Sequence, residues 1–137
     1  MKIFIDSSAF ISLLVVNQIT YKEAASLFGK FKEQNTLLFT SNLVLSESYT
    51  WLLYKNGLHV ASGLKEMIER AKKEGFLEIF WLDDLFFEEC WTYFLKFSEH
   101  KLSFTDAFSY LLVKKFRLDG IFTFDKSFKK VGLSVKP

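Results

Sequence analysis

Four carboxylates are placed where they can do chemistry: Asp6, Glu47, Asp106 and Asp125. Asp6 ends the apolar run Lys2-Ile3-Phe4-Ile5, and Asp125 ends the run Ile121-Phe122-Thr123-Phe124. Asp106 falls in the first turn of a helix opened by Ser103-Phe104-Thr105. Glu47 sits in Leu43-Val44-Leu45-Ser46-Glu47-Ser48, whose apolar flank predicts an inward-facing side chain. Carboxylates crowded together repel one another and take up protons. A divalent cation reverses that balance. Oxygen-only ligands without paired His or Cys favour Mg²⁺ or Mn²⁺ over zinc. An ion of that kind can activate water and offset charge on a phosphodiester.

Each residue also has an ordinary reading. Asp6 can cap the helix after it, and Asp125 can serve a turn. Ser103-x-x-Asp106 is a capping-box pattern, the stronger reading when taken alone. Glu47 alone reads as a solvated helix residue. Their order and placement carry more information than any one of them.

The elements that must hold these acids alternate. Strands are expected at Lys2–Ile5, Thr36–Thr40, Leu77–Leu82, Ile121–Phe124 and Leu133–Val135. Helical patterns lie between them. One begins at Ser8, and one follows a capping box at Thr20-x-x-Glu23. One is capped at Ser41 or Asn42 and stops near Asn56-Gly57. Others run from about His59 to Glu74, from Asp83-Asp84, and from Ser103 to about Arg117. Strands separated by helices predict an α/β fold with a parallel sheet and helices on both faces. Ligands of such sheets bind beyond the carboxyl ends of the strands, where strand order reverses. Asp6 and Asp125 fall there.

The 137 residues suit one domain spanning 1–137 and show no linker or repeat. A chain of this size buries roughly 68% of its unfolded surface and needs no structural metal or disulfide. Cys90, the only cysteine, excludes an internal disulfide and a paired-cysteine zinc site, which suits a cytoplasmic setting. No apolar stretch is long enough to span a membrane. The net charge of +2 permits a nucleic-acid partner without requiring one. Seventeen Phe predict a Phe-packed core, with an aromatic dimer face taking any excess. Trp51, Trp81 and Trp91 are expected mainly in that core, although indoles also stack on bases.

Across nearly its whole length the chain resembles the PIN domain family. The resemblance rests on Lys2-Ile3-Phe4-Ile5-Asp6-Ser7-Ser8-Ala9, Ser46-Glu47, Ser103-Phe104-Thr105-Asp106-Ala107 and Phe122-Thr123-Phe124-Asp125-Lys126-Ser127-Phe128. Size and spacing are most like the VapC-type toxin ribonucleases of toxin–antitoxin pairs. The resemblance implies a three-layer fold with sheet order 3-2-1-4-5, RNA cleavage dependent on Mg²⁺ or Mn²⁺, and frequent homodimers. It assigns metal binding and catalysis to Asp6, Glu47, Asp106 and Asp125, with a hydroxyl at Thr123 assisting. An antitoxin protein is the implied partner; an RNA-processing nuclease outside a toxin system is the alternative. RNA drawn to an acidic pocket needs a basic rim. Lys126, Lys129 and Lys130 suit that role better than Lys114, Lys115 and Arg117, because they adjoin Asp125. Ser7, Ser8 and Thr123 are the candidate donors to the ligands or phosphate.

Other classes fit less well. A receiver domain wants an early acidic pair and a central phosphoacceptor aspartate, but the second strand ends in Thr40-Ser41. A haloacid-dehalogenase phosphatase wants Asp-x-Asp where this chain has Asp6-Ser7-Ser8. A non-catalytic RNA-binding module gains nothing evident from buried like charges. His59, His100 and Cys90 lack catalytic spacing. Asp83 and Asp84 read as helix caps.

Overall fold

The apolar runs become five strands: β1 (Lys2–Ile5), β2 (Leu37–Ser41), β3 (Leu77–Phe80), β4 (Gly120–Phe122) and β5 (Val135–Lys136). A computed structural model describes residues 1–137. The strands form one sheet in the order β3-β2-β1-β4-β5, with every pair parallel. The helices are α1 (Ser7–Leu14), α2 (Tyr21–Glu33), α3 (Asn42–Asn56), α4 (Leu58–Lys73), α5 (Asp84–Lys96), α6 (Phe104–Lys115) and the short α7 (Ser127–Lys130). The architecture is the expected three-layer α/β fold.

Successive strand residues point to opposite faces. Ile3, Phe4 and Ile5 of β1 are all buried, as are Gly120, Ile121 and Phe122 of β4. Both sheet faces are therefore covered, which is why these strands read as unbroken apolar runs. Helix α1 packs with α2, α3 and α4, while α5 packs with α6. One cluster of 33 buried residues forms the core. Phe4, Phe10, Phe31, Phe108, Phe122 and Phe128 are its fully buried rings.

Several expectations are corrected. β4 stops at Phe122 rather than running to Phe124, because side chains take over its amides. The Phe124 N–H donates to Ser8 Oγ at 2.8 Å and the Asp125 N–H to Thr123 Oγ1 at 3.0 Å. β3 stops at Phe80, and the Leu82 N–H turns to Asn42 Oδ1 instead of a ladder partner. The last strand pairs at Val135–Lys136 rather than Leu133–Val135. At its approach a Cβ on Gly120 would lie 2.7 Å from the Ser134 carbonyl oxygen, so only glycine fits. The box expected at Thr20 does not form: its hydroxyl bonds Ser12 Oγ, tying α2 to α1.

The tryptophans also depart from the core reading. Trp51, Trp81 and Trp91 are 37%, 66% and 48% exposed. Helix α5 buries only Cys90 fully, leaving Phe87, Trp91 and Leu95 on an outward stripe at i, i+4 and i+8.

Candidate active site

β1 and β4 are neighbours, and the chain leaves both at the same edge of the sheet. Asp6 follows β1 directly. Its backbone continues β1's pairing, the N–H donating to the Phe122 carbonyl at 3.0 Å. Although Asp6 occupies the N-cap position of α1, its side chain caps nothing. The capping explanation for Asp6 therefore fails. Its carboxylate turns across the sheet to Thr123, whose hydroxyl donates to Oδ2 at 2.7 Å. Ser8 Oγ lies 3.3 Å from the same oxygen and 3.0 Å from Thr123 Oγ1. Ser8 and Thr123 thus join the two strand ends through side chains 115 residues apart in sequence.

The other oxygen of Asp6 is unusual. Oδ1 is buried and has no hydrogen-bond partner. A charged oxygen left this way carries a large desolvation cost. Burial accordingly pushes the Asp6 carboxyl up to about 7, against the Thr123 hydroxyl that lowers it, and Asp106 and Asp125 add repulsion.

Asp106 stands in the first turn of α6, where the anticipated capping box does form. Its Oδ2 accepts the Ser103 N–H at 3.0 Å, and Ser103 Oγ accepts the Asp106 N–H at 3.0 Å. The cap fixes the carboxylate without removing it from the cluster. Its pKa is raised by burial, opposed by the Ser103 bonds, with Asp125 adding repulsion. Asp125 is half-buried, and its Oδ1 accepts the Ser127 N–H at 2.9 Å in the turn leading to α7. Asp125 thus serves the turn while its charge acts on Asp6 and Asp106.

Glu47 corrects a further expectation. It is exposed rather than inward-facing, because α3 buries Val44, Leu45, Ser48 and Leu52 and leaves the neighbouring stripe outside. Its carboxyl is nonetheless raised, first by partial burial of that end and then by Asp106, with the Thr105 hydroxyl opposing. Asp106 is thus the electrostatic centre: Asp6 and Glu47 feel it, and it feels Asp125.

No three His, Cys, Asp or Glu side chains converge tightly enough to make a ready-built metal cage. The donor set still suits a hard cation that keeps several waters and touches few carboxylates. The orphaned Asp6 Oδ1 and the mutual repulsion are what such an ion would relieve.

Of the remaining candidates, Ser7 is half-buried beside Asp6, and Thr123 is buried. Lys126, Lys129 and Lys130 are exposed just past Asp125. Lys114 and Arg117 instead line a pocket with Asp119, Gly120 and Ser134, at the amino ends of β4 and β5 and away from the acids. Lys115 is paired with Glu89 at 2.6 Å. Burial pushes the Cys90 thiol up to about 12, which removes it as a nucleophile. Two residues that sequence reasoning missed are Thr105, beside Asp106 and near Glu47, and Thr50, which shares a groove with Glu47. The i, i+3 spacing of Glu47 and Thr50 was the available signal.

The PIN domain family model matches residues 3–133. Among solved structures, VapC20 of Mycobacterium tuberculosis, described as a sarcin–ricin loop cleaving toxin, aligns with a TM-score of 0.83 and 22% identity over 96% of each chain. VapBC2 from Rickettsia felis, bound to a DNA fragment from its promoter, aligns with a TM-score of 0.66 and 13% identity over 99% of this chain and 98% of that one. FitAcB from Neisseria gonorrhoeae gives 0.64 and 16% over 98% and 96%. At these identities the shared property is the fold. No curated protein matches the chain in sequence.

Proposed function

This chain belongs to the PIN domain family, and from that premise we propose that it is a divalent-metal-dependent endoribonuclease acting as the toxin of a toxin–antitoxin pair. The observation that carries the reading is the buried, partnerless Asp6 Oδ1, whose carboxylate is repelled by Asp106 and Asp125. Buried like charges are costly for a passive binding surface and suit a cation site.

Asp6 and Asp106 would hold Mg²⁺ or Mn²⁺, with Asp125 and Glu47 completing the acidic ring. When bound, the ion supplies an activated water and charge neutralisation at the phosphodiester, giving 5′-phosphate and 3′-hydroxyl ends. The chain's own residues do the positioning. The Thr123 and Ser8 hydroxyls hold one oxygen of Asp6 and leave the other without a partner. The Ser103 box fixes Asp106. Ser7 is the candidate donor to the scissile phosphate, and exposed Lys126 and Lys129 draw the RNA backbone to the acidic edge.

The similarity to VapC20, VapBC2 and FitAcB supports the toxin assignment and an antitoxin partner. The outward Phe87, Trp91 and Leu95 stripe on α5 supports a homodimer. No helix is long and apolar enough to cross a membrane.

The test is a cleavage assay on structured and single-stranded RNAs, including a sarcin–ricin loop hairpin, with Mg²⁺, Mn²⁺ or EDTA. The Asp6→Asn/Asp106→Asn variant runs beside the unaltered chain. Cleavage is expected to need the metal and to vanish in the folded variant. Equal cleavage in EDTA or in the variant would refute the site.

A further inference from the structure

We propose that the groove beside Glu47 is a nucleobase subsite, in which an unstacked base of the RNA strand lies on the indole of Trp51. The inference rests on the ribonuclease reading and extends it to how the substrate is gripped.

Leu43, Ser46, Glu47, Thr50, Trp51 and Thr105 line a groove of about 470 Å³. The first five lie on α3 at i, i+3, i+4, i+7 and i+8, so they form one continuous face. Trp51 stands one turn beyond Glu47, roughly 6 Å along the helix axis. Thr105 directly precedes Asp106 and forms the opposite wall. The groove and the carboxylate ring therefore share Glu47, and a strand whose phosphate sits at the ring passes into the groove.

The lining has the chemistry of a base pocket. Trp51 is 37% exposed, and the buried stripe of α3 at Val44, Leu45, Ser48 and Leu52 holds the helix without it. The hydroxyls of Ser46, Thr50 and Thr105 line the same groove as the indole. The Thr50 hydroxyl donates to the Ser46 carbonyl at 3.0 Å, which leaves its lone pairs free to accept. An aromatic plane that shares a groove with hydroxyls can stack a base while they bond its edges. The groove sets a carboxylate and three hydroxyls beside Leu43 and Trp51, a mix of polar edges and apolar floor that suits a base, while the chain's longer apolar stripe lies on α5. Bases inside a duplex are not available for such stacking, so the occupant is a single-stranded or splayed nucleotide.

The experiment uses the full chain with Trp81→Phe and Trp91→Phe, leaving Trp51 as the sole tryptophan, excited selectively at wavelengths that tyrosine does not absorb, and with Asp6→Asn to prevent cleavage. The probe is a random pool of single-stranded octaribonucleotides, with RNA duplexes of equal length beside it. The single-stranded pool is expected to quench Trp51 and the duplexes to leave it bright. Trp51→Ala, read by a labelled pool, should weaken binding roughly 5- to 150-fold, and Trp51→Phe should restore most of it. In the cleavage-competent chain the alanine variant should raise KM with kcat little changed. Thermal melting of the alanine and phenylalanine variants separates lost stacking from lost folding. Unchanged affinity in Trp51→Ala, no quenching by the pool, or equal quenching by duplexes would overturn the subsite. If cleavage meanwhile stays metal-dependent and sensitive to Asp6 and Asp106, only the subsite falls. Cleavage that ignores those acids sinks the ribonuclease reading instead.

Discussion

Asp6 spends stability on its position. Its carboxyl titrates at about 7 in the fold, above the 3.8 of an ordinary aspartate. Between those values the folded chain holds a proton that the unfolded chain has lost, so stability falls as pH rises through that window. Above about 7 the loss is complete, on the order of a few kcal/mol. The melting temperature in EDTA should therefore drop between pH 5 and pH 8. Added Mg²⁺ should blunt the drop. Asp6→Asn should flatten it and leave the metal-free protein more stable at pH 8, while cleavage is lost. A variant melting below the unaltered chain at pH 8 would contradict this account. Thr123 donates its hydroxyl to Asp6, so its expected part is to orient that carboxylate. Thr123→Val removes the hydroxyl that orients the carboxylate and should cost roughly 10- to 100-fold in metal affinity or activity. Thr123→Ser should keep most of both, as metal titration and cleavage rates will show.

Two helix caps of similar chemistry sit at very different distances from function. Ser103 caps α6 and holds Asp106, while Asp83 caps α5 by accepting the Phe86 N–H at 2.9 Å. Each replacement by alanine should cost about 1 kcal/mol in urea unfolding. Only Ser103→Ala should also slow cleavage, since only it loosens a site carboxylate. Equal activity in the two variants would mean that the box is purely structural. The same elements mark how far the sequence could be read. β1, the caps at Ser41, Asp83 and Ser103, and the acids at the strand ends were legible, because local apolar runs and capping chemistry dictate them. The sheet order came from the family resemblance and not from periodicity. The early end of β4 was hidden, because Ser8 captures the Phe124 amide from 116 residues away. The unformed box at Thr20 and the outward turn of Glu47 failed for a related reason: a tertiary partner or a neighbouring buried stripe outweighed the local pattern.

For the molecule as a whole, the Phe-packed core holds, and the tryptophans depart from it. The core takes six Phe rings almost completely. Composition does not say which rings are surplus, and the tryptophans proved to be among them. The surplus on α5 makes a specific expectation about assembly. An isologous interface pairs the same patch on two copies. Phe87→Lys with Trp91→Glu should convert a dimer to a monomer in sedimentation analysis while the chain keeps its folded circular-dichroism spectrum, with the melting temperature falling as the interface is lost. A dimer that survives both substitutions would place the interface elsewhere.

The Thr123–Asp6 hydrogen bond spans 117 residues, and that span has a consequence for timing. Chains emerge from the ribosome N-terminal end first. β1, β2 and β3 can assemble while β4 is still unmade, and Asp6 then lacks its orienting hydroxyl, its Asp106 neighbour and half of its walls. On the ribonuclease reading, a nascent chain carries no complete centre until translation has passed Asp125. On that reading, the topology thus defers activity until the second half of the site has been made.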